Sequence, residues 1–251
     1  MALVWIIGGT QESAALVRSL ASTGIPCLVT VTTESARSLY PIDPQVQVWV
    51  GRLQPETLPA FLQAHSICCL VDASHPFAAA VSQTAIAASV KYQIPYLRYE
   101  RQAIPAQGTH FESFEALLAS DCLQGERVLL TIGYRPLALF QPWQTRSTLF
   151  ARILPSQIAL EAALQAGFTP DRLIALRPPI SIELERALWK QWQISLVVTK
   201  ASGSAGGEDT KQQLSAELGI PLIVIDRPPV QYPQQTQDIQ TTIDFCRRHL
   251  A

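Results

Sequence analysis

Short apolar runs alternate with longer amphipathic stretches along almost the whole chain. In the first hundred residues, apolar runs at 2–7, 27–32, 46–50, 67–71 and 96–99 are separated by helix-like stretches at 11–22, 55–64 and 77–92. The pattern then starts again, with apolar runs at 127–132, 147–153, 173–176, 194–199 and 222–225 and helix-like stretches at 114–123, 157–166, 182–192, 209–218 and 238–249. Strands that are apolar on both faces and alternate with helices indicate parallel sheets that are covered on both sides. The sequence therefore predicts an α/β fold.

The alternation is interrupted after the fifth predicted strand. Residues 101–109 read RQAIPAQGT, and their Pro and Gly are typical of a connection rather than of a strand or helix. We place a domain boundary there, which predicts an N-terminal Rossmann-like domain over residues 1–102 and a C-terminal one over residues 103–251. A length of 251 residues is compatible with one large domain or two small ones.

Composition removes several classes of function. Hydrophobic residues make up 48% of the chain and charged residues 16%, which excludes a disordered protein. A net charge of -1 argues against a general nucleic-acid binder. We find no secretory signal and no apolar stretch long enough to span a membrane, and five cysteines without a zinc spacing favour a reducing cytoplasm and no bound metal. The basic residues are 15 Arg and 4 Lys, which is either a codon bias or a preference for gripping carboxylates and phosphates.

Ligands of open α/β sheets bind beyond the carboxyl ends of the strands, so the residues that follow each predicted strand are candidates. The first strand is followed by Gly8, Gly9, Thr10, Gln11 and Glu12. Glycines let a phosphate approach the backbone, and the next helix offers free N–H groups at its start. We interpret this turn as a nucleotide-phosphate site. The alternative is a tight turn into a capped helix.

The second predicted strand is followed by residues that could distinguish two nicotinamide cofactors. Arg and hydroxyl groups at this place hold the 2′-phosphate of NADP, whereas an acidic residue holds the 2′-hydroxyl of NAD. Ser35 and Arg37 therefore favour NADPH, while Glu34 favours NADH. We expect NADPH, with NADH left possible.

Further polar residues follow the third, fourth and fifth strands. Gly51 follows the third strand, and Asp72, Ser74 and His75 follow the fourth. The alternative for this group is a helix cap beside an ordinary loop histidine.

Arg98 and Arg101 belong to the end of the fifth strand and are candidate anchors for acidic groups, as are Tyr134 and Arg135 in the second half.

A glycine-rich loop follows the penultimate long strand. It contains Lys200, Ser202, Gly203, Gly206 and Gly207, and it precedes a predicted helix. Successive backbone N–H groups in such a loop can form an anion-binding concavity. The alternative is a flexible connection.

Taken in order, these motifs resemble the precorrin-6A reductase family of cobalamin biosynthesis. The resemblance rests on Gly8-Gly9-Thr10-x-Glu12, Gly51-Arg52-Leu53, residues 72–78 (DASHPFA), Leu97-Arg98-x-x-Arg101 and residues 199–207 (TKASGSAGG). It implies two Rossmann-like domains with the active site in a cleft between them. It also implies hydride transfer from a reduced nicotinamide to a ring double bond of a tetrapyrrole, which contains cobalt in the anaerobic branch. Two departures from the family pattern are Ala201 and residues 177–181 (RPPIS).

The resemblance and the chemistry of the residues together assign expected roles. Lys200 and His75 are candidate proton donors, and Arg98, Arg101, Tyr134 and Arg135 are candidate contacts of a polycarboxylate substrate. The expected cofactor-binding residues are Gly8, Gly9, Thr10, Gln11, Glu12, Ser35, Arg37, Gly51, Asp72, Ser74, His75, Ser202, Gly203, Gly206 and Gly207. Two other functions stay open on the sequence: a non-catalytic nucleotide- or tetrapyrrole-binding module, and a reductase of another polycarboxylate. The sequence leaves the oligomeric state undecided.

Overall fold

The computed structural model describes residues 2–105 and 107–250, which fold into two compact units. The first unit contains residues 2–102 and 229–250, and the second contains the described residues of 103–228. Each unit is built on a six-stranded sheet whose paired strands are all parallel. The predicted α/β fold is confirmed.

Helices and strands alternate regularly in the first unit. Its strands are β1 (Leu3–Ile7), β2 (Cys27–Val31), β3 (Val46–Val50), β4 (Ile67–Asp72) and β5 (Tyr96–Tyr99), and its helices are α1 (Gln11–Ser22), α2 (Glu34–Arg37), α3 (Leu58–Ala64) and α4 (Ala79–Tyr92). Helix α4 begins two residues later than the apolar pattern predicts, and before it the Phe77 N–H donates to the His75 side chain.

Strand β1 shows why the sheet is covered on both faces. Val4 and Ile6 point into one apolar cluster, which includes Leu16 and Leu20 of α1. The alternate residues of β1 point into a second cluster, where Trp5 packs on Phe61 of α3 with ring centroids 5.2 Å apart. Successive side chains of a strand face opposite ways, so an uninterrupted apolar run serves both clusters.

The closing segment of the chain returns to the first unit. Strand β12 (Gln235–Thr236) pairs with β5, and helix α9 (Ile239–Leu250) buries Ile243, Phe245 and Cys246 in the cluster around α1. Our boundary assigned all of 103–251 to the second domain, and the structure differs for residues 229–250. Residue 251 lies outside the described residues. The sheet order is thus β3-β2-β1-β4-β5-β12, the 3-2-1-4-5-6 order of dinucleotide-binding folds.

The second unit repeats this architecture with more irregular connections. Its strands are β6 (Thr109–Phe111), β7 (Arg127–Leu130), β8 (Thr148–Ile153), β9 (Leu173–Ala175), β10 (Leu196–Lys200) and β11 (Leu222–Ile225). Its helices are α5 (Phe114–Leu118), α6 (Gln157–Gln165), α7 (Ile182–Gln191) and α8 (Glu208–Leu218), and a 3-10 helix at Leu137–Thr145 follows β7. The sheet order is β9-β8-β7-β10-β11-β6, so five of the strands again follow 3-2-1-4-5.

Several features of the fold were not predicted, among them helix α2 and the 3-10 helix at Leu137–Thr145. Strands β6 and β12 have only three and two residues and carry polar side chains, so no apolar run marks them. Helix α5 ends at Leu118 rather than 123, where the Ser120 hydroxyl donates to the Leu117 carbonyl. Such a side-chain bond competes with continuation of the helix.

Candidate functional site

In the first unit, the strand order reverses between β1 and β4. Ligands of doubly wound sheets bind at such a switch point, beyond the carboxyl ends of the strands. Gly8, Gly9 and Thr10 follow β1 there, and Ala73 follows β4. The Thr10 hydroxyl donates to the Ala73 carbonyl over 3.4 Å, which links the two strand ends. The sequence-predicted glycine turn therefore lies at the place where a dinucleotide is expected.

The start of helix α1 is open to an approaching anion. Thr10 and Ser13 form a capping box, in which each side chain accepts a hydrogen bond from the other's backbone N–H at 3.0 Å. Gly9 is exposed, has a φ of +102°, and has no atom within 4 Å of the position that a Cβ would occupy. The N–H groups of Gln11 and Glu12 have no partner one turn earlier in the helix. The turn thus offers space, N–H groups and the positive end of a helix dipole.

Tyr40, which no sequence pattern had indicated, shapes this turn. Its hydroxyl accepts a 2.6 Å hydrogen bond from the Gly9 N–H and lies 2.7 Å from the Ser13 hydroxyl. A Cβ on Gly8 would lie 2.2 Å from the same oxygen. Burial raises the pKa of Tyr40, so the hydroxyl stays protonated. Tyr40 therefore fixes the conformation of the turn and requires glycine at position 8.

Ser35 and Arg37 lie on helix α2, directly after β2, as the sequence indicated. Thr33 caps helix α2 by accepting from the Ala36 N–H, and both predicted residues are on the exposed surface of this short helix. The Arg37 guanidinium is 58% exposed and lies 3.9 Å from the Glu34 carboxylate, which is 74% exposed. An ion pair this exposed contributes little. Arg37 can therefore turn towards an added phosphate at small cost.

Gly51 has a packing role in this structure. A Cβ on Gly51 would lie 2.5 Å from the ring of Trp49, while the Gly51 N–H donates to the Val31 carbonyl. Gly51 lies at the end of β3, as predicted. Glycine is needed there because the Trp49 ring leaves no room for a Cβ.

Asp72 and Arg98 form an ion pair in the interior of the unit. The Arg98 guanidinium donates to the Asp72 carboxylate over 3.0 Å, to the Ser74 hydroxyl over 3.1 Å and to the Glu100 carboxylate over 2.9 Å. Asp72 also accepts from the Tyr96 hydroxyl and from the Ser74 N–H. Asp72 and Arg98 are both 0% exposed. Although burial opposes the charge, Asp72 and Glu100 raise the pKa of Arg98.

This network changes the interpretation of three expected contact residues. Asp72 and Ser74 were expected to touch a cofactor and Arg98 a substrate, but all three are buried and bonded to one another. Together they anchor the strand end from which His75 projects. The geometry supports a positioning role for them.

His75 is half-buried immediately after that network. Its Nδ1 accepts a 3.1 Å hydrogen bond from the Phe77 N–H, so in the neutral ring the proton is on Nε2. The ring is thereby held in one orientation and one tautomer, with a donor on its other nitrogen. This suits a group that donates a hydrogen bond or a proton.

Glu12 and Arg101 pair with each other. The Arg101 guanidinium donates to the Glu12 carboxylate over 2.8 Å, and a second nitrogen of Arg101 lies 2.5 Å from the other oxygen. The two side chains are 24% and 11% exposed. A carboxylate at the start of α1 would repel a phosphate, and the Arg101 guanidinium compensates that charge.

The second unit brings its two predicted groups together at its own switch point. Gly133 follows β7 with a φ of +77°, and the Lys200 ammonium nitrogen, at the end of β10, lies 3.9 Å from its Cβ position. Tyr134 is half-buried and Arg135 is exposed beside Gly133. The sequence placed Lys200 just after this strand, whereas β10 ends at Lys200 itself. The backbone of Lys200 is therefore fixed by pairing with β11.

The glycine-rich loop is internally bonded. The Gly203 N–H donates to the Glu208 carboxylate over 2.7 Å, and the Lys211 amine donates to the carbonyls of Gly206 and Gly207. Ser202 is buried, and its N–H donates to the Lys200 carbonyl. The Glu208 carboxylate therefore accepts the hydrogen bond of the Gly203 N–H, one of the groups that the sequence predicted to form an anion-binding concavity. Neither Glu208 nor Lys211 was selected, because only the folded loop brings them to it.

The described residues contain neither a group of side chains suited to a metal ion nor a helix suited to crossing a membrane. Within residues 2–105 and 107–250, no cluster of three or more His, Cys, Asp or Glu side chains could hold a metal ion. In the same part of the chain, no helix is long and apolar enough to span a membrane.

Comparison with known proteins decides the family. A family model described as precorrin-6x reductase CbiJ/CobK matches residues 3–247. The chain belongs to this family. The resemblance in the sequence is thereby confirmed, and so is the prediction of an oxidoreductase. Membership of a reductase family implies a nicotinamide cofactor.

Individual members of the precorrin-6x reductase family match over nearly their whole length. Cobalt-precorrin-6A reductase of Synechocystis sp. is 49% identical, and the match covers 100% of this chain and 98% of that protein. Cobalt-precorrin-6A reductase of Priestia megaterium is 33% identical over 92% of each chain. A solved structure of CobK precorrin-6A reductase has a TM-score of 0.82 at 25% identity and covers 100% of this chain and 98% of that one.

Proposed function

We propose that this protein reduces cobalt-precorrin-6A with NADPH, which binds at the carboxyl edge of the first sheet. The observation that carries the cofactor site is the open Gly9 turn at the start of α1, located at the switch point of a 3-2-1-4-5-6 sheet. The relative that supports the cobalt form of the substrate is the Synechocystis protein, at 49% identity over the full chain.

The first unit fits a dinucleotide better than the second does. In the first unit, the central strand β1 leads directly into an α-helix whose start is open. In the second, β7 leads into the 3-10 helix at Leu137–Thr145, and Glu208 occupies the Gly203 N–H of the glycine-rich loop. In the first unit the Gly9 N–H is likewise taken, by Tyr40, but the N–H groups of Gln11 and Glu12 at the start of α1 have no helical partner. Phosphates bind where such N–H groups and a helix dipole converge. This difference supports one nucleotide site per chain.

Each residue of the first unit then has a distinct task. Gly8, Gly9, Thr10 and Gln11 form the backbone surface that the pyrophosphate approaches, and Arg101 neutralises Glu12 beside it. Ser35 and Arg37 hold the 2′-phosphate, which is the reason to propose NADPH rather than NADH. Asp72, Ser74 and Arg98 keep His75 in place.

The second unit supplies polar groups for the substrate. Tyr134 and Arg135 lie beside Gly133, and Arg135 is exposed and suited to a carboxylate of the tetrapyrrole. Lys200, next to Gly133, can hold or deliver a proton at the substrate. When bound, NADPH supplies the hydride, and the protein orients the reactants and excludes competing reactions.

The function is tested by incubating the purified protein with NADPH or NADH and with cobalt-precorrin-6A or precorrin-6A. We expect loss of the reduced-nicotinamide absorbance and formation of the reduced product, fastest with NADPH and the cobalt form. Binding of NADPH without turnover on either substrate would instead indicate a non-catalytic binding module. Turnover only on a different polycarboxylate would contradict the substrate assignment.

A further inference from the structure

Two side chains of helix α8 form hydrogen bonds to the backbone of the glycine-rich loop over residues 201–207. Glu208 begins that helix and is 3% exposed. One of its oxygens accepts from the Gly203 N–H over 2.7 Å, and the other lies 3.5 Å from the Gln212 amide. The carboxylate thus satisfies a donor that would otherwise have to find water or a ligand.

Lys211 completes the support almost one helical turn later. Its amine donates to the Gly206 and Gly207 carbonyls, each over 2.8 Å, and the side chain is 1% exposed. The groups that face it are Arg152 on β8, Glu185 on α7, and Glu208 and Asp209 on its own helix. Even a neutral amine carries two N–H donors, which match the two carbonyls.

A merely connecting loop would not need this arrangement. Burying an amine and a carboxylate is costly unless each is bonded, and here each is bonded to the backbone of the loop. Gly203 and Gly207 have φ values of +69° and +66°, so the loop depends on a conformation that other residues rarely adopt. The loop connects directly to Lys200 and contains Ser202.

We propose that Glu208 and Lys211 are positioning residues for the reduction, which hold the 201–207 loop in the shape that keeps Lys200, immediately before it, placed to act on the substrate. The inference rests on the proposed function, since it assigns Lys200 to the reaction. It also separates two kinds of role: the first unit determines nucleotide affinity, whereas this support determines turnover.

The test compares four variants of the full chain. Lys211→Met keeps the stem and removes the donors, and Glu208→Met removes the acceptor. Glu208→Gln keeps an acceptor oxygen for the Gly203 N–H. Lys190→Met, at an exposed lysine of α7, is the control. The measurements are kcat and KM with cobalt-precorrin-6A, the dissociation constant of NADPH, and deuterium uptake of the 201–207 loop.

We expect Lys211→Met and Glu208→Met to lower kcat about 10- to 100-fold, because small displacements of reacting groups have effects of this size. NADPH affinity should stay within about twofold, which is much less than one tenfold step of 1.4 kcal/mol. Deuterium uptake of the loop should rise in both variants. Glu208→Gln should recover most of the turnover, and Lys190→Met should match the unchanged protein.

Unchanged kcat in both Met variants, together with faster exchange, would overturn the positioning role. Equal losses in Glu208→Gln and Glu208→Met would contradict it too, because the hydrogen bond to Gly203 would then not be what matters. If Lys211→Met does not fold, the two Glu208 variants decide the question. If the unchanged protein oxidises no nicotinamide with either substrate, the proposed function fails, while deuterium uptake still reports whether the two side chains hold the loop.

Discussion

The Tyr40 hydroxyl occupies the space that any side chain at Gly8 would need. The oxygen lies 2.2 Å from the position of a Cβ on Gly8, and the same oxygen accepts from the Gly9 N–H. A residue on the connection after α2 therefore determines both the composition and the shape of the turn after β1. The glycine at position 8 is explained by a protein contact, and the open Gly9 is the one that leaves room for a ligand.

Gly8→Ala should weaken NADPH binding and lower stability, and Tyr40→Phe should partly rescue it. Overpacking of this kind costs about 1–3 kcal/mol. Removing the hydroxyl relieves the closest clash, while the Val29 methyl group at 2.9 Å still limits the recovery. Calorimetric NADPH titration and urea unfolding of both single variants and the double variant give the comparison. Additive losses in the double variant would show that the Tyr40 hydroxyl does not restrict position 8.

Arg37→Ala should discriminate between the two nicotinamides. Loss of a charge-assisted contact to the 2′-phosphate should weaken NADPH binding roughly 10- to 100-fold and leave NADH binding nearly unchanged. Arg247→Ala, at an exposed arginine of α9, is a matched control. Equal losses for NADPH and NADH would remove Arg37 from the 2′-phosphate site.

The regular part of the fold could be predicted because strands such as β1 are unbroken apolar runs. Leu3 to Ile7 serve two apolar clusters at once, and that demand is visible in the sequence. The glycine turn and the exposed position of Arg37 follow from the same alternation, since both come at strand ends. The position of β12 could not be predicted, because a pairing of two residues leaves no periodic signal.

Arg98 shows how a missing strand changes a residue's surroundings. The sequence placed it at the end of the fifth strand, near the ligand edge. The structure keeps it at that place in β5, opposite Asp72 of β4 on one side, and adds Gln235 of the unpredicted strand β12 on the other. Flanked by two strands, its guanidinium is buried and needs the Asp72 and Glu100 carboxylates.

Glu208 and Lys211 were missed for a related reason: their partners are backbone atoms of a loop whose path only the fold defines.

Arg98→Met should destabilise the protein strongly. It leaves the Asp72 carboxylate buried without its main partner, and breaking a buried pair in this way costs about 3–5 kcal/mol. Arg247→Met removes an ion pair whose side chains are both about half exposed and should cost less than about 1 kcal/mol. Urea unfolding measures both. A loss in Arg98→Met as small as in the control would mean that the Asp72–Arg98 pair does not hold the strand ends.

Lys200→Met should reduce turnover without weakening the binding of NADPH. If the Lys200 amine delivers a proton, its removal should lower kcat by roughly 10²- to 10⁴-fold. Lys91→Met, at an exposed lysine of α4, should leave kcat unchanged. Single-turnover measurements at saturating NADPH separate this step from product release. A kcat equal to that of the control would leave the proton to another donor, such as His75.

Lys211 should make the stability of the protein depend on pH in a direction opposite to that of a lysine whose pKa is raised by an ion-pair partner. Burial, reinforced by Arg152, lowers the pKa of Lys211 from 10.5 to about 7. Between these values the unfolded chain binds a proton that the folded chain does not, so the free energy of unfolding rises with pH, by at most about 1.4 kcal/mol per pH unit. Below the folded pKa both states bind the proton, and the folded state bears the full cost of burying the charge. The test is urea unfolding of the unchanged protein and of Lys211→Met at several pH values across this window. As the pH rises, the free energy of unfolding of the unchanged protein should increase relative to that of Lys211→Met. A difference that stays constant, or shifts the other way, would mean that the folded chain keeps this amine protonated.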